Sequence, residues 1–301
     1  NVAVGYKALK TEDGHGNNVA IGYQALESQD AGADAHNVAV GYNAGNAITT
    51  GAYNVIMGGK AWDALTSGGG NIAIGYEALS TEDAHGSSVA VGFKALKTQN
   101  AGVESYNVAV GYEAGELLTT GVENVLIGGL AGDALTTGHY NVAIGMRALS
   151  SEDAHGYCVA IGRDALKNQN AGANAHNVAI GFQAGLEVTT GTGNTVMGSY
   201  AGDALTTGAN NVAIGRSALS TEDSYGYNVA VGTYALLNQN AGDNAYNTAV
   251  GYGAGENVTT GTLNTIIGGS AGAALTSGAR NVLIGVRAGD ALTDGNYNVA
   301  I

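Results

Sequence analysis

Apolar and polar positions alternate along this chain in one short phrase that keeps returning. In Asn37-Val38-Ala39-Val40-Gly41-Tyr42-Asn43-Ala44-Gly45, β-branched residues flank an alanine, a glycine follows, and a second alanine sits three residues later. Copies begin at residues 1, 18, 37, 54, 71, 88, 107, 124, 141, 158, 177, 194, 211, 228, 247, 264, 281 and 298. The intervals run 17, 19, 17, 17 and then recur, which sets a higher period of 70 residues. A fixed period of this size marks a stacked array whose units bury their apolar faces only against neighbours. The pattern predicts an all-β parallel solenoid of 17- and 19-residue coils, in blocks 1–70, 71–140, 141–210 and 211–280 with a partial block 281–301. A single continuous array over 1–301 is expected, as a piece of a longer fibre.

Each coil is counted here from its leading residue, which is Asn in sixteen of eighteen copies, Ser88 and Cys158 being the exceptions. Positions 2 and 4 are mostly Val or Ile, position 5 is always Gly and position 8 always Ala. This alternation predicts a short strand at the start of the coil, a glycine bend, and a second short strand over positions 6 to 9. The apolar period is 2 and glycine interrupts it repeatedly, so helix is excluded. Strands stacked at ~4.8 Å predict a rod of ~80 Å, along which the leading asparagines form a side-chain amide ladder. Thr-Thr-Gly turns such as Thr136-Thr137-Gly138 close the third and fourth coils of each block, as does Leu65-Thr66-Ser67-Gly68. Polar loops at 10–16 and 28–36, with their counterparts in later blocks, are expected to project outward.

Positions 2 to 4 carry no charge in any copy, and strands small or apolar on both faces are normally covered on both. The expected cover is a second and third copy in a parallel homotrimer, which keeps like coils level. In the fourth coils position 3 enlarges to Ile56, Leu126, Val196 and Ile266 while position 6 shrinks to Gly59, Gly129, Ser199 and Gly269. This covariation predicts a volume exchange between positions 3 and 6 in a filled interior.

Composition adds exclusions. A net charge of −14 speaks against nucleic acid or an anionic membrane as partner. The longest apolar runs are far below the ~20 residues of a membrane-spanning helix, and no signal peptide is evident. With 50 glycines and no proline, every backbone N–H is free to join a ladder. Cys158 is the one cysteine and reads as a tolerated small residue rather than a reactive thiol.

The element Asn-Val-Ala-Ile-Gly-x-x-Ala, seen at 141–148 and 211–218, resembles the head repeats of trimeric autotransporter adhesins of the YadA-like type. Units such as Thr137-Gly138-His139-Tyr140-Asn141-Val142-Ala143-Ile144-Gly145 are similar to repeats in phage tail and neck fibres and in fibres of predatory bacteria. The resemblance implies a left-handed parallel β-roll in which three chains wind side by side.

Candidate chemistry is sparse. Glu12-Asp13-x-His15, with relatives at 82–85 and 152–155, has the residue types of a metal or acid/base site but reads as a solvated loop, with Glu152 pointing outward. Asp30 and Asp34 suit calcium, yet their counterparts become Asn100/Glu104, Asn170/Asn174 and Asn240/Asn244. The threonine rows lack the regularity of an ice-binding face, and Asn257-Val258-Thr259 is a lone glycosylation-type match. Tyr53, Tyr140, Tyr157, Tyr227, Tyr246 and Tyr297, each just before a leading residue, are expected to pack on neighbouring coils. No catalytic constellation, cofactor motif or metal site is assigned. Two functions fit: a structural shaft of an extracellular trimeric fibre, such as a phage tail fibre presenting a host-binding tip, or an adhesin head that itself binds a surface glycan or protein. The near-identity of the blocks favours the shaft.

Overall fold

The computed structural model describes residues 1–64, 66–81 and 85–301. They form two compact units, Asn1–Arg147 and Ala148–Ile301, and each is a parallel β-solenoid. Among the described residues there is no helix. In the first unit, three-residue strands such as Val89–Val91, Val108–Val110 and Val125–Ile127 pair in parallel and in register, Ala109 lying against Ala90 on one side and Leu126 on the other. The second unit repeats the arrangement, as in Val178–Ile180, Thr195–Met197 and Val212–Ile214.

One position decides which face is inside. Position 3 points inward and is fully buried at Ala20, Ile56, Ala109, Leu126, Ala179, Val196 and Ile266. Positions 2 and 4 point outward and stay half-exposed, so the Val and Ile pairs that define the repeat do not form the core. The interior is instead built from positions 1, 3, 8, 9 and 12.

The second strand expected over positions 6 to 9 does not form. These residues make turns in which positions 7 and 9 both adopt left-handed backbone, as at Lys94 (φ 54°) and Leu96 (φ 49°), and the residue before the next leading Asn does so again, Tyr106 at φ 48°. Left-handed non-glycine residues cost ~1–2 kcal/mol each, and stacking sustains them. Lys94 N–H donates to the Tyr76 carbonyl of the coil before at 2.9 Å, and Leu96 N–H donates to the Ala114 carbonyl of the coil after at 3.0 Å. The inter-coil ladder therefore continues through the turns, reversing direction between positions 7 and 9.

Core volume is exchanged, but between other positions than 3 and 6. Position 6 faces outward. In the four full blocks position 9 is Leu in the first two coils, where position 12 is Glu or Gln; in the third and fourth it is usually Gly, where position 12 is Ile, Leu or Val, and the coil at 281 follows this second pattern. A Cβ on Gly115 would lie 2.6 Å from Leu126 Cδ1 and 3.1 Å from Leu96 Cδ2. The large position 3 of a fourth coil thus fills space vacated by position 9 of the coil before it.

Position 5 meets the expectation of both strained backbone and crowding. Gly111 has φ +147°, and a Cβ there would stand 2.4 Å from the Gly128 carbonyl oxygen. Gly111→Ala should cost about 3 kcal/mol or more, since backbone strain and a backbone clash add. Gly102, at φ +70° with open space around it, should cost only ~1 kcal/mol when changed to Ala. Thermal denaturation of the two variants checks the difference; equal losses would contradict this packing.

Candidate functional site

Two features stand apart from ordinary packing: a polar spine inside the coils and an apolar face outside them. The spine is the row of leading asparagines, nearly all fully buried. A buried amide must find partners for two donors and an oxygen, and here the neighbouring coil supplies them. Asn107 Oδ1 accepts the backbone N–H of Asn124 at 2.8 Å, and Asn107 Nδ2 donates across its own coil to the Gly121 carbonyl at 2.8 Å. The same pair of bonds recurs at Asn37, Asn177 and Asn247. The expected amide ladder is thus mainly side chain to backbone. Direct amide-to-amide bonds are few, as at Asn281 Nδ2 to Asn264 Oδ1, 3.1 Å.

Position 12 of each second coil extends the spine. Asn107 Nδ2 also donates to Gln99 Oε1 at 2.7 Å, and Gln99 Nε2 donates to the Thr119 carbonyl at 3.0 Å. Gln29, Gln169 and Gln239 repeat this, each fully buried. Where Ser88 replaces the leading Asn, its Oγ lies 2.5 Å from Ser105 Oγ, and 105 is Ala in the corresponding place of other blocks. Cys158 fills the slot as a buried thiol, and burial pushes it up to about 11, which keeps it protonated and unreactive at neutral pH.

Position 12 of the first coil corrects the loop assignment. Glu152 and Glu222 are fully buried, not outward, and Glu12 is half-buried. Each turns its carboxylate back to cap its own loop: Glu12 Oε1 accepts His15 N–H at 3.0 Å, Glu152 Oε1 accepts His155 N–H at 3.1 Å, and Glu222 Oε1 accepts Tyr225 N–H at 3.2 Å. A change of Glu152 to Ala is therefore disruptive rather than silent. The Glu82–Asp83 pair and Leu65 lie outside the described residues.

The other polar candidates serve the stack. Asp34 Oδ1 accepts Gly16 N–H at 2.8 Å, and Glu104, Asn174 and Asn244 accept the equivalent glycine N–H groups. A carboxamide does this as well as a carboxylate, which accounts for the loss of charge at the loop first read as calcium-like. Thr49, Thr119, Thr189 and Thr259 donate their hydroxyls to the carbonyl of the next coil's threonine. Asn257 Nδ2 donates to the Ala273 carbonyl at 2.7 Å. Of the tyrosines before the leading residue, four stack on rings of neighbouring coils, Tyr227 on Tyr246 with centroids 5.1 Å apart, Tyr157 on His176 at 5.1 Å and Tyr53 on His36 at 5.3 Å, while Tyr297 packs against Arg280 of the coil before; Tyr53, Tyr227, Tyr246 and Tyr297 stay largely exposed.

Outside, positions 2 and 4 make an apolar stripe in each unit, and in the first unit aromatic residues at position 6 widen it. Val4, Ile21 and Met57 are at least 40% exposed, beside Tyr6, Tyr23 and Tyr42, whose rings stack at 5.2 and 5.4 Å. Tyr76, Phe93 and Tyr112 repeat the stack at 5.7 and 5.3 Å. Ion pairs border it, Lys94 to Glu116 at 3.1 Å and Lys97 to Glu77 at 3.0 Å. Among the described residues there is no pocket, and no helix is long and apolar enough to cross a membrane.

Burial, with a smaller contribution from neighbouring Asp223, raises the Glu222 carboxyl from its ordinary 4.5 to about 7. A raised carboxyl holds its proton better in the folded chain, so its stabilising effect is full below 4.5 and is lost as pH rises through about 7. Glu222→Gln should therefore gain stability relative to the parent at pH above this value and flatten that part of the stability profile. Melting curves across the range test this; an unchanged profile would contradict it.

No protein-family model, curated protein or solved structure matches the chain.

Proposed function

We propose that this chain is a shaft segment of an extracellular trimeric fibre, of the kind that carries a host-binding tip away from a phage or a similar particle. Three parallel copies would lie with their outward apolar stripes together. The observation that carries this is the stripe itself: Val and Ile at positions 2 and 4, which define the repeat, are left partly exposed by the coil, and of the three strand positions only position 3 faces the interior. Contiguous apolar surface of this kind on a soluble protein marks an interaction face. It repeats at every coil, so its complement must repeat with the same period, and another copy in the same direction is the simplest such object. The interior supports a structural role too, because the polar groups of its asparagine spine are largely consumed by hydrogen bonds within and between coils.

An adhesin head is the second reading, favoured by exposed rings just before leading residues, such as Tyr53, 68% exposed, and Tyr106, 57% exposed. A glycan array on the purified chain separates the two functions: binding that is lost on changing Tyr53 and Tyr106 to Ala would favour the adhesin.

The trimer is tested by mass in solution. The parent should sediment as three chains. Val110→Lys, on the outward stripe, should give monomers with the solenoid spectrum kept, whereas Ala109→Asp, in the interior, should unfold the coil at a cost of several kcal/mol. A parent that is monomeric at micromolar concentration contradicts the proposal.

A further inference from the structure

The loop after the third block's first strand holds a cluster that the repeat does not require. Glu152, Asp153 and His155 bring one ligand atom each to within 4.8 Å of one another, and among the described residues no other three carboxylate, imidazole or thiol groups do so. Glu152 is fully buried and Asp153 is exposed, so the cluster runs from the interior to solvent and an ion has a way in. His155 Nδ1 stands 3.4 Å from Glu152 Oε1. Two ligands of a tetrahedral zinc ion, each at ~2.0–2.2 Å, are separated by ~3.3–3.6 Å, so this pair already has the spacing of one edge of such a site.

A second observation points to a ligand. Glu152 Oε2 is buried and has no hydrogen-bond partner. In the first block the equivalent oxygen, Glu12 Oε2, receives Asn18 Nδ2 at 3.5 Å. The third block has Cys158 in place of that asparagine, so no amide is available there. A buried carboxylate oxygen without a donor is costly, and a cation is one of the few groups that can satisfy it. In the fourth block Glu222 Oε2 is likewise without a partner, but Tyr225 stands in place of the histidine and no three-ligand cluster forms.

The geometry points to a divalent transition-metal site, best matched to Zn²⁺, held by Glu152, Asp153 and His155 with water completing the shell. An imidazole nitrogen with two carboxylates selects zinc-like ions over calcium or magnesium, which take oxygen ligands in larger numbers. The ion would neutralise Glu152 and tie the 150–156 loop to the core.

The test is Zn²⁺ titration of the untagged full chain after chelator treatment, by calorimetry and by thermal melting. One Zn²⁺ per chain should bind and raise the melting temperature. His155→Tyr copies the residue of the fourth block and keeps the backbone N–H that Glu152 accepts, so it should fold and lose affinity about 100-fold or more. Asp153→Asn, at an exposed position, should also weaken binding, while His15→Tyr should leave it unchanged. Absence of saturable Zn²⁺ binding, or binding that both His155→Tyr and Asp153→Asn leave intact, overturns the site.

Discussion

The fold depends on a hydrogen bond that no coil can make by itself: the leading amide N–H of one coil donates to the asparagine oxygen of the coil before. Asn54 to Asn37, Asn124 to Asn107 and Asn264 to Asn247 all show it, at 2.8 or 2.9 Å. Each such asparagine is buried and would be costly alone, so every coil is stable only when stacked. The same bond holds register. A slip by one residue would remove the oxygen from the N–H and leave both buried and unpaired. Around this spine the left-handed turns and the glycine at position 5 let backbones approach closely enough for the ladder to continue where no strand exists.

The asparagine spine spends its hydrogen bonds within the stack, so the apolar surface of the coils lies outside it. That surface is unlike the usual exterior of a soluble solenoid. Its strand face is apolar, bordered by stacked rings in the first unit and by a mixture of Arg163, Phe182, Arg216, Thr233 and Tyr252 in the second. The interior keeps the same slots from block to block, with departures at Trp62, Ser88 and Cys158, while the exterior varies at position 6. This division fits the proposed shaft, in which the inside would propagate and the outside would meet other copies.

The repeat length, strand position, parallel register and the place of the asparagine row were legible in the sequence, because a strict period projects directly onto a stack. Local backbone geometry was less so. Positions 6 to 9 read as a strand because Tyr, Ala and Leu suit one, but left-handed φ at residues such as Leu96 is imposed by neighbours and leaves little mark on residue type. Glu152 read as a solvated loop residue because charge normally faces water. Aligning position 12 across the coils would have shown Glu, Gln, Ile and Leu sharing one inward slot. The Ser88–Ser105 pair was visible as a joint departure from Asn and Ala. The stripe of Val and Ile is plain in the sequence, but a small residue at position 3 and apolar ones at positions 2 and 4 do not by themselves say which face turns inward.

Amide hydrogen exchange tests the central claim most directly. The leading amides of Asn54, Asn124, Asn194 and Asn264, each bonded to a buried asparagine oxygen, should exchange orders of magnitude more slowly than the loop amides of Gly102, Gly172 and Gly242. Exchange of the asparagine amides at the rate of those loops would contradict a fold held in register by this spine.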